Sequence, residues 1–171
     1  MATGKNVLLL FALFLSFTGG IMPALEADIK LLSGGIGVLD LEFYYSPATA
    51  LNMLNAYGPE GIRLYLVAEW TADLVFPLIA AFFFSTALIW AGARRLFWLG
   101  PLMMTVDWVE NVFVTTMLLQ HPDFQPNIAL VSSVLTSCKW ALIMLMNVII
   151  LLLGGKKLLA RVSASRLSTA G

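Results

Sequence analysis

The sequence predicts an all-α integral membrane protein: a four-helix bundle with one short amphipathic helix on its outer surface. Composition is one ground for this. Of 171 residues, 60% are hydrophobic and only 12% charged, and the mean hydropathy is +0.88. Soluble domains carry about 25% charged residues. Clustering is the other ground. The apolar residues gather into four segments, about 7–22, 67–91, 96–119 and 128–153. Some 20 such residues cross a hydrocarbon core of about 30 Å at 1.5 Å per residue.

The first segment, "VLLLFALFLSFTGGIM", follows Lys5 and is closed by Pro23. At sixteen residues it is short. It reads as a retained helix, with a cleaved signal peptide as the alternative; "LEA" puts Leu25 where a cleavage site wants a small residue. Residues 23–66 form the outer loop. Within it "SGGIG" (Ser33–Gly37) is a connector, and no strand–turn–helix unit makes it a nucleotide loop. Ser46 is a natural N-cap with Pro47 behind it, and Gly58 is a natural stop before Pro59. Ala50, Leu51, Leu54 and Tyr57 between them recur at helical spacing, which predicts the amphipathic surface helix. "QHPDFQPN" turns tightly from the third segment to the fourth. Residues 1–157 thus form one transmembrane domain, and 158–171 ("LLARVSASRLSTAG") a loosely ordered cytoplasmic tail.

Orientation follows from the basic residues. Lys5, Arg94, Arg95, Lys156, Lys157, Arg161 and Arg166 fall on one side of this arrangement, and only Lys30 and Arg63 on the other. The positive-inside rule then makes both termini cytoplasmic.

Ionisable residues inside the segments carry the functional signal. Glu69 and Asp73 lie at i, i+4 in the second segment; Asp107, Glu110 and Asn111 share a face of the third; Ser132, Thr136, Lys139, Ile143 and Asn147 make a stripe on the fourth. At 1.5 Å per residue, Asp107, Glu110 and Lys139 meet roughly 14–18 Å below the outer surface. By the same rise, Asp73 lies roughly 10 Å deep, with Glu69 at the rim. Each such charge costs about 2.5–3.5 kcal/mol at a helix centre. Lys139 should therefore pair with Asp107 or Glu110. One lysine cannot neutralise three deep carboxylates, so at least one should hold a proton or be hydrated. Hydrogen bonds that only glue helices together contribute about 0.6 kcal/mol each. Such a role would account for Asn111, Thr115, Ser132 and Thr136, but the Asp/Glu/Lys set exceeds it.

Candidate catalytic residues are Asp107, Glu110, Lys139 and Asp73. Candidate ligand contacts are Glu69, Trp70, Trp108, Asn111, Thr136 and Trp140. Trp90 and Trp98 read as interface anchors, Cys138 as a buried small residue, and His121 as an isolated turn residue. No cofactor or metal is predicted, since the chain has no His/Cys cluster, no CxxC and no Gly-rich phosphate loop. No basic–aromatic block suggests nucleic acid. The expected partners are the lipid bilayer and an apolar, lipid-like ligand.

"LDLEFYYSP" (Leu39–Pro47), "YGPEGIRLYL" (Tyr57–Leu66), "DWVEN" (Asp107–Asn111) and "CKWAL" (Cys138–Leu142) resemble a set of small, uncharacterised multi-pass membrane proteins. In architecture alone the chain is also similar to the emopamil-binding, sterol-isomerase-like family. That likeness implies a compact helix bundle with membrane-embedded acids around a lipid-sized cavity. Three functional classes remain: binding or acid/base isomerisation of an apolar molecule, proton-coupled transport by a homo-oligomer, and a noncatalytic subunit with a structural ion-pair cluster.

Overall fold

The computed structural model describes residues 2–169, and every regular element among them is helical. The elements are α1 (Gly4–Ser16), a π-helical turn (Phe17–Ile21), α2 (Met22–Leu32), a 3-10 turn (Leu39–Leu41), α3 (Pro47–Glu69), α4 (Ala72–Ala91), a second 3-10 turn (Arg94–Leu96), α5 (Leu99–Gln120) and α6 (Pro126–Thr169). Four helical stretches are long and apolar enough to cross a membrane: Gly4–Leu32, Pro47–Ala91, Arg94–Gln120 and Pro126–Ala160.

The first stretch runs past its predicted end. A proline inside an α-helix clashes with the carbonyl four residues earlier. For Pro23 that residue is Gly19, which lies inside the π turn, where the Met22 N–H reaches back to Phe17. The widened turn accommodates the ring, and the chain stays helical to Leu32. Residues 23–66 are consequently much less of a loop than the sequence suggests.

Gly58 does break its helix, with φ of 62° and ψ of −179°, a backbone region suited to glycine. Helical structure resumes at once and continues to Glu69. The α3 residues Ala50, Leu54 and Tyr57 pack into a core with Val114, Met117 and Ala129 of α5 and α6. This face is buried against protein rather than laid on a membrane surface. Trp70 and Thr71 then separate α3 from α4, so the predicted segment 67–91 begins with a break.

Phenylalanines join α1 to α4. The Phe14 ring lies 5.1 Å from Phe83 and 5.7 Å from both Phe76 and Phe84. Gly92, at φ 107°, closes α4 in a left-handed cap. The fourth helix continues beyond residue 153, replacing the predicted loose tail through Thr169; residues 170–171 lie outside those described. Lys156 to Ala160 favour helix. The Lys157 ammonium also donates to the Trp90 carbonyl and sits 5.1 Å above its ring, tying α6 to the end of α4.

Where α5 crosses α4, Gly100 is required by space. A Cβ there would lie 2.6 Å from the Ala81 carbonyl oxygen and would also collide with the Ser85 hydroxyl. Backbone cannot yield as a flexible side chain can. Gly100→Val should therefore destabilise the protein by about 1–3 kcal/mol or more, as overpacking does. A lowered thermal midpoint in detergent, with Gly155→Val as an open-space control, is the measurement.

Candidate functional site

The helices bring the predicted ionisable residues together and add one. Asp107 and Glu110, one turn apart on α5, face Lys139 on α6. The Lys139 Nζ lies 2.8 Å from Asp107 Oδ1 and 2.6 Å from Glu110 Oε2. Thr136, one turn before Lys139, donates its hydroxyl to Glu110 Oε1 at 2.5 Å. Glu110 has no exposed surface, and Lys139 only 7%. Buried charges persist only when paired, and here one ammonium pairs with both carboxylates, although Glu110 Oε2 meets it without hydrogen-bond geometry.

Beside it stand Glu69 and Asp73, both buried. Glu69 is not at a solvent rim: the Trp70–Thr71 break and the packing of α3 enclose it. The residue that sequence reasoning missed is Asp40, in the 3-10 turn after α2. It is 9% exposed and accepts the Tyr65 hydroxyl at 2.8 Å. One oxygen from each of Asp40, Glu69 and Asp73 lies within 4.8 Å of the other two. Five buried carboxyl groups thus surround one ammonium.

Asp40 is held by a clasp. The Leu39 N–H donates to the Tyr65 oxygen at 3.0 Å, and the Trp140 indole N–H donates to the Asp40 carbonyl at 3.1 Å. Further along, the Ser137 hydroxyl donates to Phe43 O (2.7 Å), and the Tyr45 N–H donates to Ser133 Oγ (2.8 Å). The Tyr45 hydroxyl donates to Ser132 Oγ at 2.8 Å. Desolvation by burial holds this phenol well above its ordinary range, the Ser132 hydrogen bond offsetting it only in part, so Tyr45 remains a donor. Ser132 of the predicted polar stripe, with Ser133 and Ser137 beside it, therefore binds the 40–45 segment to α6. The stripe does not continue to Asn147, which is exposed and bonds its own helix at Ile143 O.

Above these groups lies a cavity of about 360 Å³. Asp40, Glu69, Asp73, Asp107 and Lys139 supply its polar wall; Phe14, Met22, Ile29, Phe76, Met103 and Ile143 supply apolar surface. Trp140 also lines it. Glu110 and Thr136 lie behind Lys139, outside the cavity lining.

The other predicted contacts have separate places. Pro77 has no N–H for the carbonyl of Asp73, and the Asn111 side-chain amide donates to that carbonyl at 3.3 Å. The Trp108 indole donates to the next carbonyl, Leu74 O, at 3.1 Å. Asn111 thus serves the carbonyl that Pro77 leaves without a helical partner, and Trp108 ties α5 to α4 one residue further on. Trp70 is half exposed and donates to Thr115 Oγ1. Cys138, predicted buried, is exposed on α6, and His121 contacts Asn55 Oδ1 at 2.8 Å rather than standing alone. No family model, curated protein or solved structure matches the chain.

Removing the ammonium should expose the dependence within the triad. Lys139→Met should lower stability by about 3–5 kcal/mol, the usual effect of orphaning a buried charge. Adding Asp107→Asn and Glu110→Gln should restore part of that loss. Thermal unfolding of the single and triple variants checks this, and equal instability of the two would refute the coupling.

Proposed function

We propose that this is a multi-pass integral membrane protein whose buried site binds an apolar, lipid-sized molecule and moves a proton on it. The membrane reading rests on four helices of sufficient length and hydropathy, together with an exterior that carries Leu8, Phe82, Val112, Val134, Val148 and Leu151 while the carboxylates lie inside. Both termini face the cytoplasm in this reading. The contact of Lys157 with Trp90 brings the basic end of α6 beside Arg94 and Arg95, as the positive-inside rule requires.

The cavity is the observation that carries the functional reading. Its walls are mainly aliphatic and aromatic, and a few convergent polar groups stand at one end, the usual composition of a small-molecule site. Asp107 and Lys139 both line it and touch each other. They form an acid/base pair suited to isomerisation. The Asp107 carboxylate takes a proton from one carbon of the bound molecule, while the Lys139 ammonium gives one to another carbon. Proton transfer across the 2.8 Å Asp107–Lys139 contact then restores both groups. No oxidant or cofactor is consumed. Glu110 acts through Lys139, whose position and charge it holds, and Asp73 and Glu69 extend the polar wall.

Native mass spectrometry of the detergent-solubilised protein tests the assignment. Wild type and Asp107→Asn should retain the same co-purifying apolar mass, and Ile143→Trp, which fills the cavity, should lose it. Retention by Ile143→Trp would place the ligand elsewhere and sink the proposal. Orientation has its own test in a Cys138→Ser background, which lacks other cysteines. A cysteine at the exposed Asp123 should react with an impermeant maleimide added to intact cells, and one at Lys156 should react only after lysis.

A further inference from the structure

Three of the five buried carboxyl groups take no part in the lysine triad. Asp40, Glu69 and Asp73 come from the 3-10 turn, the end of α3 and the start of α4, so only the folded chain assembles them. Lys139 is committed to Asp107 and Glu110. Neither carboxylate oxygen of Glu69 has a hydrogen-bond partner, although the residue is only 1% exposed, and Asp73 Oδ2 also lacks one. Burial without a partner ordinarily carries a penalty of several kcal/mol for a charged group. Both residues line the cavity, and these oxygens are themselves closed off from water.

We propose that Asp40, Glu69 and Asp73 bind a divalent metal cation of the hard, oxygen-seeking class. The donor set is carboxylate oxygen alone, which suits Ca²⁺, Mg²⁺ or Mn²⁺ rather than thiolate- or imidazole-seeking ions. The spacing fits as well. Oxygens bound to one ion at about 2.3–2.6 Å lie no more than roughly 5 Å apart, and here each of the three offers an oxygen within 4.8 Å of the others. The Tyr65 hydroxyl, itself held by the Leu39 N–H, donates to Asp40 Oδ1 and so orients one ligand as ordered metal sites require. Two positive charges at this point, with Lys139 alongside, would offset three of the five carboxylate charges. Remaining coordination positions would face the cavity, where an oxygen of the bound molecule could be polarised. That last role rests on the ligand reading above; metal binding does not.

Proton sharing among the three acids is the competing arrangement, and Mn²⁺ binding separates the two. Purified, chelator-washed protein is titrated with Mn²⁺, followed by electron paramagnetic resonance. The expected result is one Mn²⁺ per chain, displaced by Ca²⁺, with affinity at least tenfold lower in Glu69→Gln and in Asp40→Asn. Asp123→Asn, an exposed acid in the α5–α6 turn, should bind as wild type does. If Glu69→Gln does not fold, Asp73→Asn takes its place. Absence of stoichiometric Mn²⁺, or unchanged affinity in the site variants, overturns the proposal. The measurement uses no apolar ligand, so its failure and a failure of the mass-spectrometric experiment are distinguishable.

Discussion

The ammonium of Lys139 is the point on which the interior depends. It joins α5 to α6 through Asp107 and Glu110 at once. Sliding α6 by a single turn would place Leu135 or Ile143 opposite the carboxylates. Aliphatic packing alone tolerates small shifts of register; a buried ion triad does not, since every misregistered state strands a charge. The triad therefore fixes the relative height of the two helices. The same lysine borders the cavity, so the constraint that aligns the helices also sets the chemistry of the chamber they enclose.

A second layer of organisation is the 40–45 segment, held across α6 by Ser132, Ser133, Ser137 and Trp140. These bonds join residues that are 87 to 100 positions apart in sequence. They satisfy buried backbone groups that have no helical partner of their own, as the accounting of main-chain donors and acceptors demands. They also deliver Asp40 to the interior. Among the described residues, charged and polar side chains are thus buried in the core while many large apolar side chains stand on the surface.

Much of the architecture was legible because hydropathy and length act over whole segments. The ends of α4 and α5 fall close to the predicted limits, and Lys139 could be paired from helical spacing and depth alone. What escaped was determined by individual backbone groups. Pro23 looked like a terminator, but the π turn before it relieved the clash. Asn111 and Trp108 looked like pocket polar groups, yet their donors serve carbonyls of α4, a relationship between two helices that spacing within either cannot display. Asp40 lies in a stretch too short for any period, and "LDLEFYYSP" offered two acids, Asp40 and Glu42, with nothing to single out the buried one. Its burial depends on Tyr65 and Trp140, neither of which is near it in sequence.

The triad also bears on how such a chain would be made. Ribosomes release α5 before α6, so Asp107 and Glu110 emerge when their counter-charge has not yet been synthesised. Alone in a bilayer, α5 would carry about 2.5–3.5 kcal/mol for each ionised acid. The linker to Pro126 is short: α5 ends at Gln120. Lys139 is therefore delivered soon afterwards on an antiparallel neighbour. In the membrane reading proposed above, the two helices form one unit of insertion, a hairpin that enters lipid with its charges already matched. The cell's insertion machinery would then have to shelter α5 for the time that it takes to translate the first third of α6.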